Sequence, residues 1–282
     1  MVAFSIGSIN VYWYGIFYLI GFLIGYFFLK FIGKKKIFSK YKNLQKLLSN
    51  DVESLLIYII LGVLLGGRLG EVFIYEWGYF SKNLLDIFAV WNGGMSFIGG
   101  VIGVFVSLLI LKKTKKLSNI EFFLLFDTFL VVVPLAIIFG RFGNYLNQEI
   151  YGLVVPANYW GMNDFFVNLL TKLNVFHVYN LVDSNLRLNT NFISIFFEGF
   201  VLFLILSITF FRNIKKREIK PGIIVANFLI FYSIFRFFIE YLRVDSQSQY
   251  IWLFTKSQRI FLIFIFTGFV FMLNKKIKTI KL

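Results

Sequence analysis

The segment Gly140 to Gly152, G-R-F-G-N-Y-L-N-Q-E-I-Y-G, places a guanidinium (Arg141), two amides (Asn144 and Asn147) and a carboxylate (Glu149) directly after the apolar run Phe122–Phe139. Such groups are costly beside hydrocarbon-like sequence and are retained where they bind or react. Other ionisable residues interrupt the remaining apolar runs: Arg68, Asp127, Glu198 and Arg236. Arg236, Glu240 and Arg243, at i, i+4 and i+7, form one helical stripe, and Arg68 and Glu71 share a face at i and i+3. Structural ion pairing between helices accounts for part of this set. The basic groups outnumber what local pairing needs, and several arginine forks suit a phosphate.

The elements that must position these residues follow from composition. The 282 residues are 59% hydrophobic and 21% aromatic with only 15% charged, the pattern of a multi-spanning membrane protein. The expected fold is all-α: a polytopic helical bundle forming a single domain over 1–282, with no Pro/Ser-rich linker to suggest a second. Cysteine is absent and His177 is the only histidine, which excludes disulfides, a thiolate nucleophile and Cys or His-cluster metal sites. Asp127 is assigned no role.

Seven runs approach the length of a membrane span: Val11–Ile32, Leu55–Tyr75, Gly94–Leu111, Phe122–Phe139, Phe192–Phe211, Gly222–Leu242 and Ile260–Leu273. Lysine and arginine concentrate in alternate loops, around Lys34–Lys46, Lys112–Lys116, Arg212–Lys220 and Lys275–Lys281. The positive-inside rule then sets the N-terminus outside and the C-terminus in the cytoplasm. The net charge of +15 reads as topology signal and contact with anionic membrane lipids, not as a nucleic-acid surface. Met1–Asn10 carries no basic n-region, so no removable signal peptide is expected. The long non-apolar stretch Leu153–Asn191 is expected to be an external loop or lid subdomain.

With this orientation Arg68, Arg236, Glu198, Arg141 and Glu149 fall at the outer leaflet level. Gly62, Gly66 and Gly70 form a small-xxx-small series, as do Gly21–Gly25 and Gly99–Gly103, predicting close helix packing. The turn Trp91-Asn92-Gly93-Gly94-Met95-Ser96 would offer backbone N–H groups to an anion at the outer end of the third span.

These residues resemble the bacterial prolipoprotein diacylglyceryl transferase family. Gly140–Gly152 is similar to its signature G-R-x-G-N-F-x-N-x-E-x-x-G, with Tyr145 in place of Phe. Trp13-Tyr14-Gly15, Gly66-Gly67-Arg68, Trp91–Gly100 and Tyr232–Arg243 resemble further family segments in the right order. The resemblance implies transfer of a diacylglyceryl group from phosphatidylglycerol to the lipobox Cys thiol of a prolipoprotein. A thioether forms and glycerol phosphate leaves, at the outer leaflet of the bacterial inner or cytoplasmic membrane, without a cofactor. It implies that Arg141 and Arg236 hold the phosphate, that Asn144 and Asn147 orient it, and that Gly152 allows close backbone approach. Tyr14 matches a functional tyrosine, and Glu240 fixes Arg236 or acts on the thiol proton. Arg68, Gly94, Ser96, Glu149, Glu198 and Arg243 complete the expected substrate-binding set.

The sequence departs from the family at three places. Ile98 stands where a His is expected, Ser194 where a Glu is usual, and Arg243-Val244-Asp245 lacks a Pro. Two readings follow: an active enzyme whose base lies elsewhere (Glu149, Glu240 or the substrate itself), or a drifted paralogue that binds anionic phospholipid with weak or no activity. His177 reads either as an ordinary loop histidine or as a substitute base. A transporter would show charges through the whole depth of the bundle or an inverted repeat, and the sequence shows neither.

Overall fold

Every apolar run expected to cross a membrane is helical in the computed structural model, which describes all residues except 1, 8, 90–92, 156–163, 245–249, 252 and 275–277. The helices are Trp13–Lys34, Val52–Gly70 continued by a π-helical turn Glu71–Tyr75, Phe97–Thr114, Asn119–Leu130, Val133–Leu146, Thr190–Lys216, Ile223–Glu240 and Lys256–Leu273. Among the described residues four are long and apolar enough to cross a membrane, and five if the pair Asn119–Leu130 and Val133–Leu146 counts as one span. That pair bends by 41°, so the fourth apolar run is not the straight span its hydropathy suggests. Pro134 in the first turn of Val133–Leu146 explains the break, because proline has no N–H to continue the preceding helix and fits a new first turn. Strands among the described residues pair only two at a time.

The chain divides into two compact units, Tyr26–Phe123 and Met1–Gly25 with Leu124–Leu282. In the first, Val52–Gly70 and Phe97–Thr114 meet backbone to backbone. A Cβ on Gly66 would stand 2.4 Å from the Gly99 carbonyl oxygen, and one on Gly103 would stand 2.1 Å from that of Gly62. Only glycine permits this approach, as expected of a small-residue stripe. The Gly21–Gly25 pair differs: a Cβ on Gly21 would just touch Ala136, and Gly25 has nothing within 4 Å. A short amphipathic helix, Lys42–Asn50, buries Leu44, Leu47 and Leu48. Glu121 caps it from afar, one carboxylate oxygen accepting from the Asn43 and Leu44 N–H groups at 3.1 and 3.2 Å.

In the second unit Asp127 acquires a role. Its buried carboxylate accepts from the N–H groups of Gly222 (2.6 Å), Ile224 (3.0 Å) and Val225 (3.1 Å). These are the unpaired donors at the start of Ile223–Glu240, the helix that carries Arg236 and Glu240, and a carboxylate there also suits the helix dipole. The segment after the signature folds as the helix Asp164–Lys172 and the hairpin Phe176–Val178/Leu186–Leu188. Val155, Phe176 and Leu188 form its small core with Leu153, Leu170 and Leu242. The Gly152 N–H donates to the Leu188 carbonyl and the Leu153 N–H to that of Leu242, both at 3.0 Å. This tie joins the segment to the end of Ile223–Glu240.

Gly103→Ala should lower stability by about 1–3 kcal/mol through overpacking, although alanine is the better helix former by about 1 kcal/mol. Thermal unfolding in detergent reads this, with Gly25→Ala as control, expected to be neutral or slightly stabilising. Equal effects of the two substitutions would refute the close-packed stripe.

Candidate anion-binding site

The site begins with a helix irregularity. Within Thr190–Lys216 the residues Ile195–Val201 adopt a π-helical turn, a widened geometry often found at functional positions. Glu198 lies in it and is fully buried. Gly199 follows, where a Cβ would come within 2.3 Å of Ile138, so its bare backbone lets this turn press against Val133–Leu146. Arg141 on that helix donates through Nη2 to Glu198 Oε2 at 3.1 Å. The other oxygen, Oε1, is 3.8 Å from Nη1 of Arg236. Nη2 of Arg236 is 2.9 Å from Glu240 Oε2, and Nη1 of Arg243 is 3.5 Å from the same oxygen.

Five charges thus alternate: Arg141, Glu198, Arg236, Glu240, Arg243. Among the described residues the row sets three guanidiniums against two carboxylates. Each of the five side chains is at most 13% exposed, and charges buried to this extent are tolerated only when paired. The pairing is incomplete. Glu198 Oε1, Arg236 Nη1, Glu240 Oε2 and the Ser233 hydroxyl are buried without a hydrogen-bond partner. Glu240 Oε2 is held between two guanidiniums by charge, out of line for a hydrogen bond. Buried unsatisfied polar atoms call for a partner, and an anion accepting from Arg236 Nη1 would supply one. Ser233 escaped the sequence reading. Its signal was its place on the stripe, three residues before Arg236.

The signature builds the rim. Tyr14 donates its hydroxyl to Asn144 Oδ1 at 3.0 Å, and Gly143 makes this possible, since a Cβ there would lie 2.7 Å from the Tyr14 ring. The Asn147 N–H closes the helix by donating to the Gly143 carbonyl at 3.0 Å. The chain then turns through Gln148 and Ile150, both left-handed at φ +55° and +56°, a conformation that non-glycine residues hold only where surroundings enforce it. The enforcement comes from the Glu149 N–H donating to the Asn144 carbonyl (2.9 Å), Asn191 donating to the Glu149 carbonyl (2.8 Å) and Thr190 donating to that of Ile150. The Glu149 carboxylate itself is exposed. Gly152 admits chain, not ligand: a Cβ would strike the carbonyl oxygens of Leu188 at 2.5 Å and Leu242 at 2.9 Å. Beside Asn144, Trp13, Phe17, Phe139, Phe142, Tyr145 and Leu146 line an apolar cleft of about 520 Å³. Among the described residues no three His, Asp or Glu gather as a metal site would require.

Arg68, in the other unit, departs from its expected use. Its Nε donates to Ile87, Nη1 to Gly93 and Gly94, and Nη2 to Asp86 and Ala89, all backbone carbonyls. A guanidinium has five N–H donors, so none remains for a phosphate, and no ion pair joins Arg68 to Glu71 among the described residues. The turn expected to present N–H groups instead presents carbonyls to Arg68. Ser96 is the N-cap of Phe97–Thr114, accepting from the Gly99 N–H, and its own N–H is taken by the Gly67 carbonyl at 2.9 Å. Gly94 has φ +74° with Arg68 Nη1 against the space a Cβ would fill. Trp91, Asn92 and Asp245 lie outside the described residues, as does the side chain of Ile98.

Residues 1–274 match the family described as prolipoprotein diacylglyceryl transferase. Curated proteins named phosphatidylglycerol–prolipoprotein diacylglyceryl transferase are similar over most of their length. One from Wolbachia pipientis (strain wPip) is 34% identical over 252 residues, 89% of this chain and 85% of the relative. One from Rickettsia bellii is 36% identical over 245 residues, covering 86% and 81%. One from Ehrlichia canis is 31% identical over 281 residues, covering 98% and 96%.

Removing Glu198 would leave two buried guanidiniums facing each other, so Glu198→Gln should cost about 3–5 kcal/mol of stability. Chemical unfolding in detergent measures this. A loss below about 1 kcal/mol would show that the row is solvated and the pairing incidental.

Proposed function

The chain belongs to the prolipoprotein diacylglyceryl transferase family, and we propose from that premise that it moves the diacylglyceryl group of phosphatidylglycerol to the lipobox cysteine thiol of a prolipoprotein signal peptide. The observation that carries this reading is the buried arginine–glutamate row with its unsatisfied Arg236 Nη1. The donor lipid has the matching chemistry: an anionic phosphate joined to apolar chains, which suit the apolar cleft beside Asn144.

In this reading Arg141 and Arg236 accept the phosphate, and their positive charge stabilises the negative charge that grows on the leaving glycerol phosphate. Glu240 and Arg243 hold Arg236 in place, and Glu198 spaces the two phosphate-binding guanidiniums. Tyr14 orients Asn144, and Asn147 and Glu149 shape the turn around it. The sulfur forms a bond to the glycerol methylene, the bond from that carbon to the phosphate oxygen breaks, and its electron pair departs with glycerol phosphate. Arg68, Gly94 and Ser96 serve by holding their own turn, since their polar groups are committed there.

We read the protein as spanning a bacterial cytoplasmic membrane seven times, N-terminus outside, C-terminus in the cytoplasm and site toward the outer leaflet. The alternation of lysine-rich loops supports this orientation, and the seven apolar runs of the sequence support the count. The segment 153–191 would then lie outside, over the site.

Purified protein in phosphatidylglycerol micelles, given a lipobox peptide, should yield a thioether product detectable by mass. Arg141→Ala and Arg236→Ala should each reduce its rate by about 10²–10³-fold, the scale of losing one donor to a developing anion. Wild-type protein that binds the lipid and yields no product would refute catalysis.

A further inference from the structure

Transfer to a thiol requires a proton acceptor. Of the buried carboxylates, Glu198 lies between Arg141 and Arg236, and Glu240 between Arg236 and Arg243, and carboxylates flanked by cations make weak bases. Asp127 and Glu121 are committed to helix-start N–H groups away from the row. The chain has one imidazole, at His177, and the structure brings it to the signature. His177 sits in the strand Phe176–Val178 with its ring 4.9 Å from that of Tyr145 and its Nδ1 3.5 Å from the Tyr145 hydroxyl oxygen. Tyr145 is the residue after Asn144, lines the apolar cleft, and lies at i+4 from Arg141, on the same helical face.

We propose that His177 is the general base that takes the thiol proton, with Tyr145 as its positioning residue; this rests on the transferase reading given above. The phenol oxygen of Tyr145 already accepts from Asn174 Nδ2 at 3.4 Å. In the tautomer this proposal assigns, Nδ1–H faces the Tyr145 oxygen at 3.5 Å and the lone pair is on Nε2, since a hydrogen bond to one ring nitrogen sets the state of the other. Nε2 takes the S–H proton, the sulfur pair forms the C–S bond, the phosphate oxygen leaves with the C–O pair, and the imidazolium returns its proton to water.

The groups facing the imidazole leave it neutral. Tyr179 meets it edge-on at 5.0 Å. The Tyr179 hydroxyl donates to Asn189 Oδ1 at 2.9 Å and is pushed up to about 12 by burial, so it stays protonated. The paired strand contributes Arg187 opposite His177, but that guanidinium is tied to Asp183 through Nε (3.1 Å) and Nη2 and lies over the Tyr151 ring. These neighbours set no bare charge against the imidazole, and partial burial holds its pKa below the ordinary histidine value. The sign is that of a base: active when neutral above its pKa, lost as pH falls through it.

The test is the thioether assay between pH 5 and 9 in phosphatidylglycerol micelles. His177→Gln should lower kcat by about 10²–10⁴-fold, abolish the acid limb of the rate profile and leave the KM for the lipid within about threefold. His177→Ala should regain rate with added imidazole, following the protonation of free imidazole, a rescue that a structural role would not give. Tyr145→Phe should shift the acid limb while retaining activity. A His177→Gln rate within about threefold of wild type, a lost rate that imidazole does not restore, or an acid limb that disappears in Glu149→Gln instead would each overturn the assignment. No product from the wild-type protein would fail the transferase reading itself, a result distinct from these.

Discussion

A row of alternating buried charges constrains the rest of this half of the molecule. Arg141, Glu198, Arg236 and Glu240 come from three helices, and Arg243 from the turn after the third, in a chain that is 59% hydrophobic. Charges in such a medium persist only when their partners are at hand, so each helix must be held in register with the others. The π-helical turn aims Glu198, Gly199 lets that turn reach the Arg141 helix, and Asp127 secures the first N–H groups of the helix bearing Arg236 and Glu240. Gly143 lets Tyr14 reach Asn144. Glycines beside the row and a carboxylate on another helix thereby govern its geometry.

The two central arginines of the sequence show how the use of a buried cation can be told from its partners. Arg68 spends all five donors on carbonyls of its own turn, the mark of a group that organises backbone. Arg236 keeps Nη1 buried without a hydrogen-bond partner, 3.8 Å from Glu198 Oε1, the one oxygen of that carboxylate that also lacks one. The first is complete without a ligand and the second is not. The external segment extends the same logic: Arg187 donates to the Gly152 carbonyl at 3.2 Å and pairs with Asp183, binding the hairpin to the end of the signature.

Much of this was legible in the sequence. Helical runs, the Arg236–Glu240 pair and the Gly62–Gly66–Gly70 contact follow from spacing and hydropathy, because helical periodicity is local. The expected stripe stops short of Arg243, since the helix ends at Glu240 and Arg243 reaches Glu240 from the turn bridged to Gly152. The 41° bend was signalled by Pro134 but hidden by uniform hydropathy across it. The role of Asp127 was unreadable, since its partners are 95 to 98 residues away in the chain. For Arg68, type and depth say that a cation is present, while the saturation of its donors depends on where residues 86–89 and 93–94 place their carbonyls. The Tyr145–His177 contact likewise depends on a hairpin that places residue 177 against residue 145.

The account stands or falls on where the phosphate sits, and an experimental structure of the protein with phosphatidylglycerol bound decides it most directly. The predicted result is a phosphate oxygen accepting from Arg236 Nη1 and Arg141, with the lipid chains in the cleft lined by Phe142 and Tyr145. A headgroup bound elsewhere, with Arg236 Nη1 still unmatched and the row unchanged, would contradict it.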